Sequence, residues 1–353
     1  MKFSCFFLLC FVVELIISLS FHSRAQSVPG IYVFGDSLVD VGNNNYIPLS
    51  IVKADIPFNG IDYPGQKATG RFSNGKNAAD FLAEKIGLPT APPFLAKPNA
   101  VYVKGVNFAS GGAGIFNVTD DLIKTTIPMS YQLGFFSKVR QGLEKQMGSA
   151  ATQEHLSKSI FPVVIGSNDI INFFNSEKSS TQQYVALMVS TFKDQLKGLY
   201  GLGARKFIIV GTAAIGCAPK LRYRNITNEC NNEVNYWSKK YNDGVVQMLQ
   251  ELKSELKEFN YSFFDIYNIF MDFIQNPATY GFSETKVACC GLGRLRAQIP
   301  CTPLSRYCSN RSGHIFWDIY HPTEAAVRIV INKLFQGVPD YVFPVTVQQL
   351  IAA

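Results

Sequence analysis

Short apolar runs alternate with helical patterns along most of this 353-residue chain, and that alternation limits the fold more than any other feature. Candidate strands lie at 31–34, 104–108, 160–165, 206–210 and 262–266, each bounded by Gly, Asn or Asp. Between them, 77–86 stops at Gly87 and 181–200 stops at Gly201, while 233–259 carries Val245, Met248, Leu249, Leu252 and Leu256 at helical spacing. A last helix opens with Pro322 in its first turn and Glu324 near its third position, and ends before Gly337. Five strands separated by helices predict an α/β protein with a parallel sheet covered on both faces. Neither a Pro/Ser-rich linker nor a repeat divides the chain, so residues 26–353 read as one domain.

The first strand carries the chemistry. Ile31, Tyr32, Val33 and Phe34 form an unbroken apolar run that Gly35 cuts off, as a strand buried on both faces does. Ser37 follows at the strand end, the edge of an open α/β sheet where ligands bind. Taken alone, Gly-Asp-Ser favours a capping serine without chemistry. A nucleophilic serine needs a base, and beyond residue 25 the histidines are His155, His314 and His321. His155 lies in polar Gln-Glu-His-Leu, and His314 follows a sequon. His321 precedes Pro322 and has Asp318 three residues before it, a spacing that lets a carboxylate hold one ring nitrogen while the other faces a serine. A helix N-cap with a structural aspartate fits Asp-x-x-His equally well.

Further segments tip the balance. G-D-S-L-V-D at 35–40, V-N-F-A-S-G-G-A-G at 106–114, V-V-I-G-S-N-D at 163–169 and W-D-I-Y-H-P at 317–322 resemble, in order and spacing, the blocks of plant-type GDSL esterase/lipases within the SGNH hydrolases. G-R-F-S-N-G at 70–75, G-A-R-K-F at 203–207 and C-C-G at 289–291 extend the resemblance over nearly the whole chain after residue 25. It implies the SGNH hydrolase fold, a flavodoxin-like three-layer α/β/α arrangement around a five-stranded parallel sheet. It implies Ser37 as nucleophile, His321 as base and Asp318 as orienting acid. An oxyanion hole would be built from the Ser37 and Gly111 N–H groups and the Asn168 amide, with Gly112 as rival to Gly111 because adjacent glycines leave the alignment ambiguous by one. Without the blocks, the two glycines read as a turn and Asn168 as a cap. The chain lacks G-x-S-x-G, which argues against a nucleophile elbow of the α/β-hydrolase kind. It also departs from the family: Thr212-Ala213-Ala214-Ile215 precedes Gly216-Cys217 where many members carry prolines, a change that bears on substrate preference.

The N-terminus predicts export. Lys2, an apolar run over 6–19 interrupted by Glu14, and small residues at Ser23 and Ala25 form a signal peptide over 1–25, too short in its apolar part to span a bilayer. The formal charge of +7 becomes +6 when Lys2, Arg24 and Glu14 leave with it, and the basic residues are scattered, which argues against a nucleic-acid partner. Cys217, Cys230, Cys289, Cys290, Cys301 and Cys308 remain, an even number that predicts disulfides, Cys217 with Cys230 first among them. Neither C-x-x-C nor ligand-spaced histidine occurs, so neither metal nor cofactor is expected. Sequons at Asn117, Asn225, Asn260 and Asn310 are candidate glycan sites. Together these readings predict a secreted enzyme of the cell wall or apoplast that hydrolyses acyl esters of small molecules, lipids or polymers through an acyl-enzyme on Ser37. The rivals are an acyltransferase of the same fold and an inactive glycan-binding or structural protein.

Overall fold

The computed structural model describes residues 28–117, 125–175 and 181–353. The expected leader over 1–25 lies outside them, as do Val118 and Thr119 of the first sequon. Strand β1 (Ile31–Gly35) is buried along its whole length. It leads through helix α1 (Ala78–Lys85) to β2 (Gly105–Asn107), then α2 (Met129–Met147), α3 (Ser149–Lys158) and β3 (Ile160–Val164). Next come α4 (Ser167–Asn175), α5 (Thr181–Gly201), β4 (Lys206–Val210), α6 (Pro219–Arg224), α7 (Asn232–Glu255) and β5 (Asn260–Phe264). The chain ends with α8 (Ile266–Gln275), a ribbon of β6 (Cys290–Gly291) and β7 (Arg306–Tyr307), α9 (Glu324–Gln336), β8 (Val342–Phe343) and α10 (Val347–Ala352).

The main sheet has the order β2-β1-β3-β4-β5-β8, and its first five strands run parallel. This is the flavodoxin-like order. The sixth strand was not expected: Val342–Phe343 pairs antiparallel with β5 and is too short to show a period. Helices α2, α5 and α7 pack on one another, as do α1, α9 and α10, giving a layer on each side. Helix α2 seats Phe136 against Tyr32, Phe34 and Phe161 at ring separations of 5.4, 5.7 and 5.5 Å, which locks β1 and β3 under it.

Several boundaries move for local reasons. The fifth strand ends at Phe264 rather than running to Ile266, because Asp265 caps α8 by accepting from the Asn268 N–H at 3.2 Å. Helix α7 stops at Glu255, since Leu256 is extended and Glu258 takes a φ of 62° before β5. Helix α9 starts two residues past Pro322: Thr323 is its N-cap, and Glu324 is its first residue, not its third. The Glu324 carboxylate accepts from the Lys76 N–H at 2.8 Å, tying α9 to the loop before α1.

Candidate active site

The parallel register brings Gly35, Val164, Val210 and Phe264 into one row at the carboxyl edge of the sheet. Gly35 has a φ of 147°, and a Cβ there would lie 2.2 Å from the Val164 carbonyl oxygen, so only glycine lets the chain turn so close to β3. The turn is then held on all sides. Buried Gln132 of α2 accepts from the Gly35 N–H at 2.9 Å and donates to its carbonyl at 2.8 Å. The Asp36 N–H donates to Val164 O at 3.0 Å, and the Asp36 carboxylate accepts from Leu38 N–H at 3.0 Å. Ser37 emerges from this clamp at the edge of a cavity, 8% exposed.

The histidine arrives on an irregular loop over 317–322. Its anchor is a small second core of Cys289, Cys290, Cys301, Cys308 and Trp317, where disulfides join Cys289 to Cys308 and Cys290 to Cys301. Cys289 and Cys290 donate their N–H groups to the carbonyls of Phe316 and Trp317, and the Trp317 indole donates to Asn59 at 2.9 Å. Asp318 Oδ1 accepts from the N–H groups of Tyr320 and His321 at 2.9 and 2.8 Å, closing the loop on itself. His321 Nδ1 stands 2.8 Å from both Asp318 oxygens, and Nε2 stands 2.8 Å from Ser37 Oγ. A proton on Nδ1 is thus held by the carboxylate, and Nε2 is left to accept from the serine hydroxyl. Burial alone would raise the Asp318 carboxyl, but the His321 charge, its ring hydrogen bond and the two backbone donors outweigh it and hold it below the usual range.

The other two histidines lie elsewhere. His155 is in the last turn of α3, with Nε2 at 3.2 Å from the Tyr32 hydroxyl, and burial lowers its pKa. His314 holds Nδ1 at 2.9 Å from the Asn310 carbonyl at the surface. Cys217 pairs with Cys230 as expected. Among the sequon residues, Asn117 and Asn310 are exposed, while Asn225 and Asn260 are half-buried; Asn260 opens β5 with its amide donating to Glu258 O at 3.0 Å.

The geometry bears on the choice between the two glycines. The Gly111 N–H donates to buried Asp40 at 3.0 Å, and a Cβ on Gly111 would meet the Phe72 ring at 2.4 Å. Gly111 therefore faces inward, and Gly112, with a φ of 81°, is the glycine that lines the cavity beside Ser37. Asn168 lines it too, as the second residue of α4 rather than a cap beyond β3. Its amide donates one hydrogen to Ala113 O at 2.9 Å, which orients the group and leaves the second hydrogen of the NH₂. Three supporting residues had no assigned role at the level of sequence. Asp40 accepts from Gly42 and Asn43 as well as Gly111, and Asp169 accepts from Ile115 and Phe116 at 2.9 and 3.2 Å. Gln132 is the third, and it lies in no block of the family; Asp40 and Asp169 close two of the blocks quoted above, which was the available signal. Burial pushes the carboxyls of Asp36 and Asp169 up to about 7.

The cavity holds about 330 Å³ and most of its lining is apolar, with Thr126, Asn172 and Asn175 among the polar residues besides those around Ser37. No group of three or more His, Cys, Asp or Glu among the described residues is placed to hold a metal ion. Serine, imidazole and carboxylate in a line at the carboxyl edge of a doubly wound sheet form the arrangement of serine hydrolases. Residues 31–334 match the family model described as GDSL-like Lipase/Acylhydrolase, and the chain belongs to that family of carboxylic ester hydrolases. It is 50% identical over 344 residues to a GDSL esterase/lipase of Arabidopsis thaliana, covering 93% of this chain and 91% of that one. A second from the same plant is 41% identical over 332 residues, covering 89% and 88%. A crystal structure of a GDSL-like lipase from Parabacteroides merdae is similar at 15% identity and a TM-score of 0.39, covering 87% of this chain and 94% of that one, a likeness too distant to inform the site.

Proposed function

We propose that the chain is a secreted serine esterase acting through an acyl-enzyme on Ser37. In this reading His321 takes the Ser37 proton as Oγ bonds to the ester carbonyl carbon, and Asp318 stabilises the resulting imidazolium. The carbonyl oxygen becomes an oxyanion held by the N–H groups of Ser37 and Gly112 and the Asn168 amide. His321 then protonates the departing alcohol as the tetrahedral species collapses. Water repeats the sequence in reverse, losing its proton to His321 and releasing the carboxylic acid with Ser37 restored.

The observation that carries the reading is the pair of 2.8 Å contacts at the two nitrogens of His321, one to Asp318 and one to Ser37. Export is supported by the three disulfides, which persist in oxidising compartments, and by the leader pattern over 1–25. The remaining residues, 26–353, then form one hydrolase domain, with Asn117 and Asn310 as the most accessible glycan acceptors. An activity-based fluorophosphonate tests the nucleophile. One label per chain, located on Ser37 by peptide mass and absent from Ser37→Ala, is the expected result; labelling of another serine overturns the assignment.

A further inference from the structure

We propose that the apolar cavity behind Ser37 is an acyl-chain channel, and that Ala213, Ala214 and Ala218 set the chain length it admits. The inference rests on the esterase reading of Ser37 and names the substrate class of that same site: esters of medium to long aliphatic acids.

The shape follows from the sheet. The cavity begins at Ser37 and His321 and runs past Val164, Val210 and Phe264, the strand ends in register with Gly35. Three steps between neighbouring strands at about 4.8 Å make that row roughly 14 Å long. On the opposite wall, Val327 and Ile331 lie on one face of α9, with Ile331 seven residues beyond the start of the helix at Glu324. From Val327 to Ile331, at a rise of about 1.5 Å per residue, this wall runs roughly 6 Å. The length of the strand row suits an extended chain of roughly ten carbons with bonds of about 1.5 Å.

The chemistry of the walls selects the occupant. The acid and base on the lining, Asp36 and His321, are both at the Ser37 end, together with Asn168; farther along α4 the polar lining residues are the neutral amides Asn172 and Asn175. Phe270, Val330 and Ile331 also line the cavity, and they offer no partner to a terminal hydroxyl or carboxylate and match a methyl terminus.

The alanines occupy the loop after β4, where this chain reads Thr-Ala-Ala-Ile-Gly-Cys-Ala. The loop is fixed from behind: Asn242 accepts from the Thr212 N–H at 2.8 Å, Asn235 accepts from the Gly216 N–H at 2.8 Å, and Cys217 is bonded to Cys230. Ala213, Ala214 and Ala218 therefore line the cavity from a backbone held in place, and a longer side chain at these positions would fill part of its volume. A rigid wall of small residues acts as a gauge of chain length.

The test compares kcat/KM for acetyl, hexanoyl and decanoyl p-nitrophenyl esters, with decyl acetate as a control that places the chain on the alcohol. Wild-type kcat/KM should climb with acyl length by up to about fourfold per buried methylene, and not with alcohol length. Ala214→Leu and Ala218→Leu should each lower the decanoyl-to-acetyl ratio at least tenfold, and Ile331→Ala should shift the optimum to longer acids. Unchanged ratios in all three variants, or a preference that follows the alcohol chain, would overturn the channel. A wild type that hydrolyses none of these esters is the failure of the esterase reading instead. In that event decanoic acid and Ser37→Ala still decide: a concentration-dependent rise in Tm that Ala214→Leu removes supports the channel, and no rise overturns it.

Discussion

The two halves of the candidate active site are held by different means. Ser37 stands on the main core, where β1 is packed by aromatic rings and Gly35 is bonded through both its backbone groups to Gln132. Asp318 and His321 stand on a loop with little regular structure, tied to two disulfides and to Trp317. A hydrophobic core of this size can fix a strand end without covalent help, whereas the segment over 284–323 offers ribbons of two residues each and must be cross-linked. The two anchors should therefore fail differently: damage at the serine side should appear as lost global stability, and damage at the histidine side as lost activity in a protein whose core still melts cooperatively.

The largest effect tests whether the halves meet. Ser37→Ala and His321→Ala should each lower kcat by at least about 10⁴-fold, as disabling a triad does, with the unfolding transition preserved. His155→Ala and His314→Ala should leave kcat near wild type. A half-active, well-folded His321→Ala would separate the two halves functionally. Next in size is Asn168→Ala, which should cost about 10²–10³ in kcat with KM nearly unchanged if the amide meets the oxyanion. Lost stability with full turnover would make it a structural residue only.

The anchors themselves come third. Replacing Cys289 and Cys308 together by serine should reduce activity more than tenfold while the main unfolding transition, followed by far-UV circular dichroism, is retained. Gln132→Leu should do the reverse. It leaves the Gly35 N–H without its partner in the core, at a cost of about 1–3 kcal/mol, while the Gly35 carbonyl keeps the Ser110 N–H. Equal losses of activity and Tm in both variants would erase the distinction.

The smallest effect sharpens the serine side through pH. Burial first, and then the negative charge of Asp169, push the Asp36 carboxyl up from 3.8 to about 7, against the Leu38 N–H and the His321 charge that lower it. The folded chain then keeps a proton that the unfolded chain releases, so Asp36 subtracts stability progressively as pH rises from about 4 to about 7. Asp36→Asn should lose that slope, and its Tm relative to wild type should climb over the same interval. A constant difference would mean that Asp36 ionises as an ordinary carboxylate.

Local sequence determined what local physics controls. The apolar run before Gly35 marks β1 because a strand buried on both faces needs no alternation, and Asp318 lies three residues from His321 because one loop can close that contact by itself. The same reasoning reached five strands and the pairing of Cys217 with Cys230. It could not reach β8, whose two residues have no pattern and exist as a strand only because β5 presents an open edge. It left Gly111 and Gly112 as equivalent candidates, and only the tertiary structure shows that Asp40, 71 residues away, takes the N–H of the first. Gln132 became visible only when α2 was laid across β1. The cavity belongs to the same class: its walls come from β4, α8 and α9, segments far apart in sequence, and an empty volume is a property of how elements pack, which a linear pattern of residues does not encode.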